Sequence, residues 1–259
     1  MSTITIPPPD CRFVDQSAEI EREALAVIPS FLEGPSRSRA SDRRRGIMKY
    51  KYVFLLGRPA CGKSSLYREL EERIFESGQA QTFERIDDFP KLWARMKRDD
   101  DLEREGKERI YTQRREDGAY QITDENFFND ILREVNADVL KIDRPDHMVF
   151  VEFARPNYVE ALQNFDQRIL DRCLAIYIEV SFDTSWERNV ARHQAKMSQD
   201  GDDHFVYRET MEELYLRDDR EAFVQHMKIR KIPVAVVNNE ADGEEHLAAL
   251  VQELFEDLF

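Results

Sequence analysis

The run Gly57-Arg58-Pro59-Ala60-Cys61-Gly62-Lys63-Ser64 leaves this chain few folds to choose from. It has the spacing Gly-x4-Gly-Lys-Ser, and the hydrophobic period changes across it. Before it, Lys51 to Leu56 is a continuous apolar run, as in a strand buried on both faces. After it, Ser64 to Ser77 sets Leu66, Leu70, Ile74 and Phe75 at helical spacing, with Gly78 as the stop. A strand that passes through such a loop directly into a helix suits a phosphate. The glycines let the backbone wrap closely, successive N–H groups point inward, and the helix adds its positive end. Lys63 is then expected on the β- and γ-phosphates and the Ser64 hydroxyl on Mg²⁺. A turn that merely matched the spacing would leave Lys63 at a helix N-terminus with no anion to offset it, which is unfavourable.

Gly57, Arg58, Pro59, Ala60, Cys61, Gly62, Lys63, Ser64 and Ser65 are therefore the expected nucleotide contacts, with ATP and Mg²⁺ as cofactors. Cys61 inside the loop has two readings. A helix N-terminus lowers a thiol pKa, which would make it redox-sensitive. A bound polyphosphate opposes the thiolate, and a neutral small residue is the favoured reading.

The rest of the chain alternates strand and helix. Strands are expected at Thr82 to Asp87, Met148 to Phe153, Cys173 to Val180 and Pro233 to Val237. A helix opened by Thr123-Asp124-Glu125 runs towards Ile142, and another closes the chain from Glu244 to Leu258. Residues 91–117, dense in mixed charge, read as exposed helix and loop. The pattern predicts an α/β fold of three layers: a five-stranded parallel sheet with helices on both faces. Residues 1–47 read as an extension, with an extended Pro7-Pro8-Pro9, an amphipathic helix over 16–33 and a Ser/Arg-rich linker from Gly34 to Gly46. Arg43-Arg44-Arg45 reads as part of that solvated linker, the alternative being contact with phosphate or a partner. The domain proper spans 48–259.

Charge and cysteine use exclude several classes. A formal net charge of −14 argues against a general grip on nucleic acid or an anionic membrane. Cys11, Cys61 and Cys173 form no CxxC pair, which fits a reducing, cytoplasmic setting. No apolar run is long enough to span a bilayer. The expected partner is a small-molecule acceptor, with no nucleic acid and no membrane; the oligomeric state stays open.

Phosphoryl transfer to a hydroxyl needs a carboxylate beside the acceptor and a metal on the phosphates. In a parallel α/β sheet these groups belong at C-terminal strand ends. Asp87-Asp88 ends the second strand and Glu152 lies near the end of the third. Asp87 is either the base or a cap for the helix near Pro90, and with two carboxylates one can cap while the other works. Glu152 is either a Mg²⁺ or water-positioning group or the ion-pair partner of Arg155. Arg188 and Arg192, four apart on one helical face, are candidates to stabilise the transferring phosphate, the alternative being a solvated face. Asp88 and Arg155 are candidate acceptor contacts. Tyr111, Arg114, Arg115 and Tyr120 are further candidate acceptor contacts, each read more readily as surface.

Together these pieces resemble the P-loop small-molecule kinases, especially the uridine kinase and nicotinamide riboside kinase group, over most of residues 50–257. Arg85-Ile86-Asp87-Asp88-Phe89-Pro90 looks like that group's Asp-x-Phe signature, and the resemblance implies Asp87 as the base. Phe150-Val151-Glu152-Phe153 is similar to its apolar-Glu-Gly strand end, with Phe153 in place of the glycine, a change expected to reshape the acceptor pocket. The resemblance puts Arg188 and Arg192 at the start of a lid after strand 4, over about 186–220. An acceptor-binding insert is expected at about 90–144, where the charged stretch 91–117 departs from the family and does not align with it. Pro233 to Asn239 resembles the last strand and the loop bordering the adenine. The implied activity is a kinase moving the γ-phosphoryl group of ATP to a hydroxyl, with a nucleoside-like acceptor favoured. Zeta-toxin-like and antibiotic-type kinases, and a nucleotide-binding regulatory module without transfer, are the alternatives. A GTPase switch is disfavoured by the missing Asp-x-x-Gly and Asn-Lys-x-Asp motifs.

Overall fold

A computed structural model of the chain describes residues 4–6, 48–114, 120–124, 126–142, 144–197 and 205–259. The elements are β1 (Ile4–Ile6), β2 (Tyr52–Leu56), α1 (Lys63–Ser77), β3 (Thr82–Asp87), α2 (Phe89–Arg104), β4 (Thr112–Arg114) and β5 (Tyr120–Ile122). They continue with α3 (Phe127–Lys141), β6 (His147–Glu152), α4 (Tyr158–Leu162), α5 (Gln167–Leu170) and β7 (Cys173–Glu179). The last are α6 (Phe182–Met197), α7 (Arg208–Tyr215), α8 (Arg220–Ile229), β8 (Val234–Asn238) and α9 (Glu244–Leu258).

The main sheet has five strands in the order β3-β6-β2-β7-β8, all parallel. Because side chains alternate along a strand, β2 feeds two cores. Tyr52, Phe54 and Leu56 pack under α3, α4, α5 and α8, with Val135, Val139, Phe223 and Met227. Val53 and Leu55 pack under α1 and α9, with Leu66, Leu70, Ile74 and Leu254. Helices on both faces of a buried parallel sheet make the three layers that the sequence predicts. The chain crosses from one side of β2 to the other between β6 and β7, so the crevice lies at the C-terminal end of β2.

Several expectations change. Phe75 is 54% exposed, because α1 buries only the Leu66-Leu70-Ile74 stripe. Residues 91–114 are less exposed than their charge suggests. The helix α2 runs to Arg104, and its Asp99 is fully buried, accepting hydrogen bonds from the Ile110, Tyr111 and Thr112 amides and the Thr112 hydroxyl. Four donors on one carboxylate satisfy its charge, and they fix the turn into β4. The β4 and β5 strands pair antiparallel, and β1 adds the other edge through Ile4↔Ile122 and Ile6↔Tyr120. The insert thus carries a three-stranded sheet of its own, and residues 4–6 pair with it rather than standing apart. The helix expected to open at Thr123 begins at Phe127, since the Asp124 carboxylate accepts from the Asn126 amide and holds a turn there. The expected helix over 16–33, Arg43-Arg44-Arg45, Cys11 and Arg115 lie outside the described residues. Among the described residues no helix is long and apolar enough to cross a membrane.

Candidate active site

The loop between β2 and α1 is built around two glycines. Gly57 has φ +133°, and a Cβ there would lie 2.5 Å from the Ile178 carbonyl and 2.8 Å from Cys61 Sγ. Gly62 has φ +101°, and a Cβ there would lie 2.4 Å from Asn239 Nδ2. Neither position accepts a side chain without displacing a neighbour. The loop is held from several directions. The Gly57 amide donates to the buried Tyr158 hydroxyl at 3.0 Å, Ser185 Oγ donates to the Pro59 carbonyl at 2.6 Å, and Asn239 Nδ2 donates to the Cys61 carbonyl at 2.9 Å. Arg58 reaches away from the loop, donating to the carbonyls of Val180 (2.8 Å) and Tyr215 (2.7 Å). Burial pushes the Cys61 thiol up, against the pull of Lys63, the direction that favours the neutral thiol.

Lys63 is buried and its Nζ donates to the carbonyls of Gly57 (3.0 Å) and Arg58 (2.8 Å). The acidic groups converge beside it. The register of the parallel pair β3–β6 sets Asp87 opposite Glu152. Burial raises the Glu152 carboxyl, Lys63 lowers it, Asp87 raises it again and Arg85 lowers it. Arg85 joins the group: its Nε donates to Glu152 Oε2 at 2.9 Å, and its Nη2 donates to Ser64 Oγ at 2.8 Å and to Asp87 Oδ2 at 3.3 Å. Ser64, Glu152 and Asp87 are all hard oxygen donors brought within reach of one guanidinium. Their chemistry suits Mg²⁺, which takes oxygen ligands and usually only one or two carboxylates.

The carboxylate pairs differ from expectation. Glu152 pairs with Arg85, and Arg155 pairs with Asp88 at 2.5 Å. The capping role also falls differently. Asp88 stands at the N-cap of α2 without a side-chain cap bond, while Asp87 Oδ1 accepts from the Phe89 amide at 3.0 Å. Asp87 therefore caps with one oxygen and faces Arg85 with the other. Burial raises Asp88 to about 6, moderated by Arg155. Arg155 lies over the Phe128 ring at 4.6 Å, against the insert. Phe153 does not shape a pocket there. It points to the opposite face from Glu152, is 1% exposed and stacks on Phe165 at 5.8 Å.

The arginine pair separates. Arg188 donates to the Asn239, Glu240 and Ala241 carbonyls and pairs with Asp242 at 2.5 Å, so its guanidinium is committed to the 239–242 loop rather than extended over the phosphate loop. Arg192 donates to Asn189 Oδ1 at 3.3 Å, along its own helix. In the described part of the expected lid segment, Asn189 is buried and donates to the Val206 carbonyl, and Met211, Leu214 and Tyr215 bury a small core with Phe182 and Trp186. Of the candidates in the insert, Tyr120 is fully buried with its hydroxyl on Asp100, Arg114 covers that ring at 4.6 Å, and Tyr111 lies under Arg95. Tyr158, Ser185 and Arg85 were not singled out by sequence. Arg85 alone left a signal, since a strand places residues two apart on one face and Asp87 follows it at that spacing.

The strand order and the loop define the class: a three-layer α/β protein with a phosphate loop after its central strand. No family model matches the chain, and no curated protein matches it in sequence. Solved structures similar to it include Kti12 of Chaetomium thermophilum in complex with ADP-AlF3, at 15% identity and a TM-score of 0.49, covering 80% of this chain and 99% of that one. The Mycobacterium tuberculosis APS kinase in complex with AMPPNP and APS is similar at 14% identity, TM-score 0.44, over 80% and 96% of the two chains. Shikimate kinase from Acinetobacter baumannii in complex with shikimate follows at 13% identity and 0.41, over 83% and 96%. At such scores the assignment of the fold rests on the strand order and register above.

Proposed function

We propose that this chain is a kinase that moves the γ-phosphoryl group of ATP to a hydroxyl of a small molecule, with a nucleoside-like acceptor favoured, in a cytoplasmic setting. One observation carries the reading: Lys63, Ser64, Asp87 and Glu152 meet at the C-terminal ends of three adjacent strands, beside a loop with no room for a Cβ at Gly57 or Gly62. Gly57 to Ser65 cradle the phosphates, and Lys63 exchanges its loop carbonyls for β- and γ-phosphate oxygens. Mg²⁺, held by Ser64 and Glu152, would supply charge neutralisation on those oxygens. Asp87 accepts the acceptor's hydroxyl proton while the acceptor oxygen bonds to the γ-phosphorus. The bond from that phosphorus to the bridging oxygen breaks, and ADP leaves. Asp88 and Arg155 orient the acceptor from the insert side. Arg188 acts on the nucleotide side, by holding the 239–242 loop against Cys61 through Asn239.

ADP release measured across nucleosides, sugars, vitamins and aminoglycosides tests this. Acceptor-dependent release supports it. Absence of ATP binding, or ATP binding unaffected by Lys63→Ala, removes it. A second reading is a nucleotide-binding regulatory module without transfer, for which Arg188 is an anchor of the 239–242 loop only. It predicts ATP binding with no acceptor-dependent turnover.

A further inference from the structure

The mechanism above gives Arg85 no task, yet its side chain is held at four points. On β3, Arg85 and Asp87 are two apart and share a face, and the register sets Phe150 and Glu152 beside them. Helix α1 covers that face with Ser64 and Tyr67. Arg85 Nη2 lies 2.8 Å from Ser64 Oγ, 2.6 Å from Glu152 Oε2 and 3.3 Å from Asp87 Oδ2. Its guanidinium also lies over the Tyr67 ring at 5.6 Å, and that ring packs edge-on against Phe150 at 4.9 Å. Tyr67 is thus a fixed shelf that presents the guanidinium to the three oxygens.

Ser64 and Glu152 are the two donors assigned to Mg²⁺. Two adjacent carboxylates, one of them buried, repel each other unless a cation lies between them. Arg85 supplies that cation from within the chain, through a fork of donors that suits carboxylate oxygens. A divalent ion on the same oxygens would sit against the guanidinium, and the two cations exclude each other. The Arg85 side chain is 29% exposed, so it has an open side to leave by.

We propose that Arg85 is an internal counter-cation that competes with the divalent metal for Ser64 and Glu152, and so sets how tightly the nucleotide-free protein takes up metal. This positioning role rests on the reading of Ser64 and Glu152 as the metal side of the site. Its test requires no turnover, so the two can fail separately.

The experiment is a titration of the full-length, nucleotide-free protein with Mn²⁺, reading free Mn²⁺ by EPR. Wild type is compared with Arg85→Ala, Arg85→Gln, Arg85→Lys and the double variant Arg85→Gln/Glu152→Gln. Arg85→Gln keeps the side-chain stem on Tyr67 and guards against a folding failure of the alanine variant, with thermal melts as the check. Removing the charge is expected to tighten Mn²⁺ binding about tenfold or more, one decade being ~1.4 kcal/mol. Lysine gives an intermediate value, and adding Glu152→Gln cancels the gain. Mn²⁺ affinity equal to or weaker than wild type in both uncharged variants overturns the proposal, as does a gain that survives Glu152→Gln. A gain without acceptor-dependent turnover in the screen above keeps Arg85 in this role and removes the kinase reading. Turnover without the gain does the reverse.

Discussion

Asp88 and Arg155 form an ion pair at 2.5 Å with both side chains less than a tenth exposed. The pair joins the start of α2 to the chain just after β6, where the insert meets the main sheet. Burial is the larger influence on Asp88 and raises it from 3.8 to about 6, because desolvation outweighs the attraction of Arg155. The folded state therefore holds this proton more tightly than the unfolded chain. The stability it contributes is complete below the unfolded value near 3.8 and is lost as the pH rises through about 6. We expect the difference in unfolding free energy, wild type minus Asp88→Asn, to fall by about 3 kcal/mol across that window, at ~1.36 kcal/mol per pKa unit. Urea unfolding at a series of pH values measures it, and a flat or rising difference contradicts the assignment.

Breaking the same pair from one side is expected to be costly at neutral pH. Arg155→Met leaves the Asp88 carboxylate buried without a counter-charge, a loss of about 3–5 kcal/mol. Replacing both, as Asp88→Asn with Arg155→Met, should recover most of it, because Met follows the arginine stem between Phe128 and Phe153 without a charge to compensate. Urea midpoints of the single and double variants read this directly; an additive double variant would show that the pair is not coupled.

Gly57→Ala is expected to damage the phosphate loop before it damages the fold. The new methyl group meets the Ile178 carbonyl at 2.5 Å in a backbone conformation that L-residues rarely adopt. The left-handed conformation alone costs about 1–2 kcal/mol, and the displaced backbone carries the Gly57 amide off Tyr158. ATP affinity by calorimetry should drop by at least about tenfold, with the variant still folded by circular dichroism. Unchanged affinity would mean that the loop tolerates a Cβ and is not shaped for phosphate.

Asp87→Asn separates chemistry from binding. Asparagine keeps an oxygen for the Phe89 amide and so preserves the cap, but it cannot take the acceptor's proton. Turnover with the best acceptor should fall by about 10²–10⁴-fold with ATP affinity little changed. If turnover survives, Asp88, held near 6 by burial, becomes the candidate base.

How much of this was legible in sequence follows from range. The β2–loop–α1 unit is local: its glycines, Lys63 and Ser64 lie within one short run, and the periodicity on either side fixes what they join. The strands β6 and β7 were readable because burial on both faces leaves Met148 to Val151 and Cys173 to Ile178 continuously apolar. The pairings were not readable. Asp88 with Arg155, and Arg85 with Glu152, join residues 67 positions apart, and no local period distinguishes Arg155 from Arg85 as the partner of Glu152. The insert hid for another reason: its core is held by a buried carboxylate, Asp99, amid a charged run that reads as surface. Phe153 was misplaced by analogy, although strand alternation after Glu152 already sends it to the other face.

Arg188 decides between two accounts of the nucleotide site. If its guanidinium stabilised the transferring phosphate, Arg188→Ala would lower kcat with little change in KM for ATP, as a contact made only in the transition state does. The structure instead engages it with three carbonyls and Asp242 on the 239–242 loop, whose Asn239 holds the Cys61 carbonyl. Removing it frees that loop and leaves carbonyls without a donor, which should loosen the nucleotide side of the site and spare the chemistry. The expected result is a KM for ATP raised by about tenfold, kcat within about twofold of wild type, and faster amide hydrogen exchange over 239–243. Arg188→Lys should recover part of the KM, since an ammonium reaches fewer of the carbonyls than the guanidinium fork. A fall confined to kcat, with exchange in the loop unchanged, would return Arg188 to the transferring phosphate.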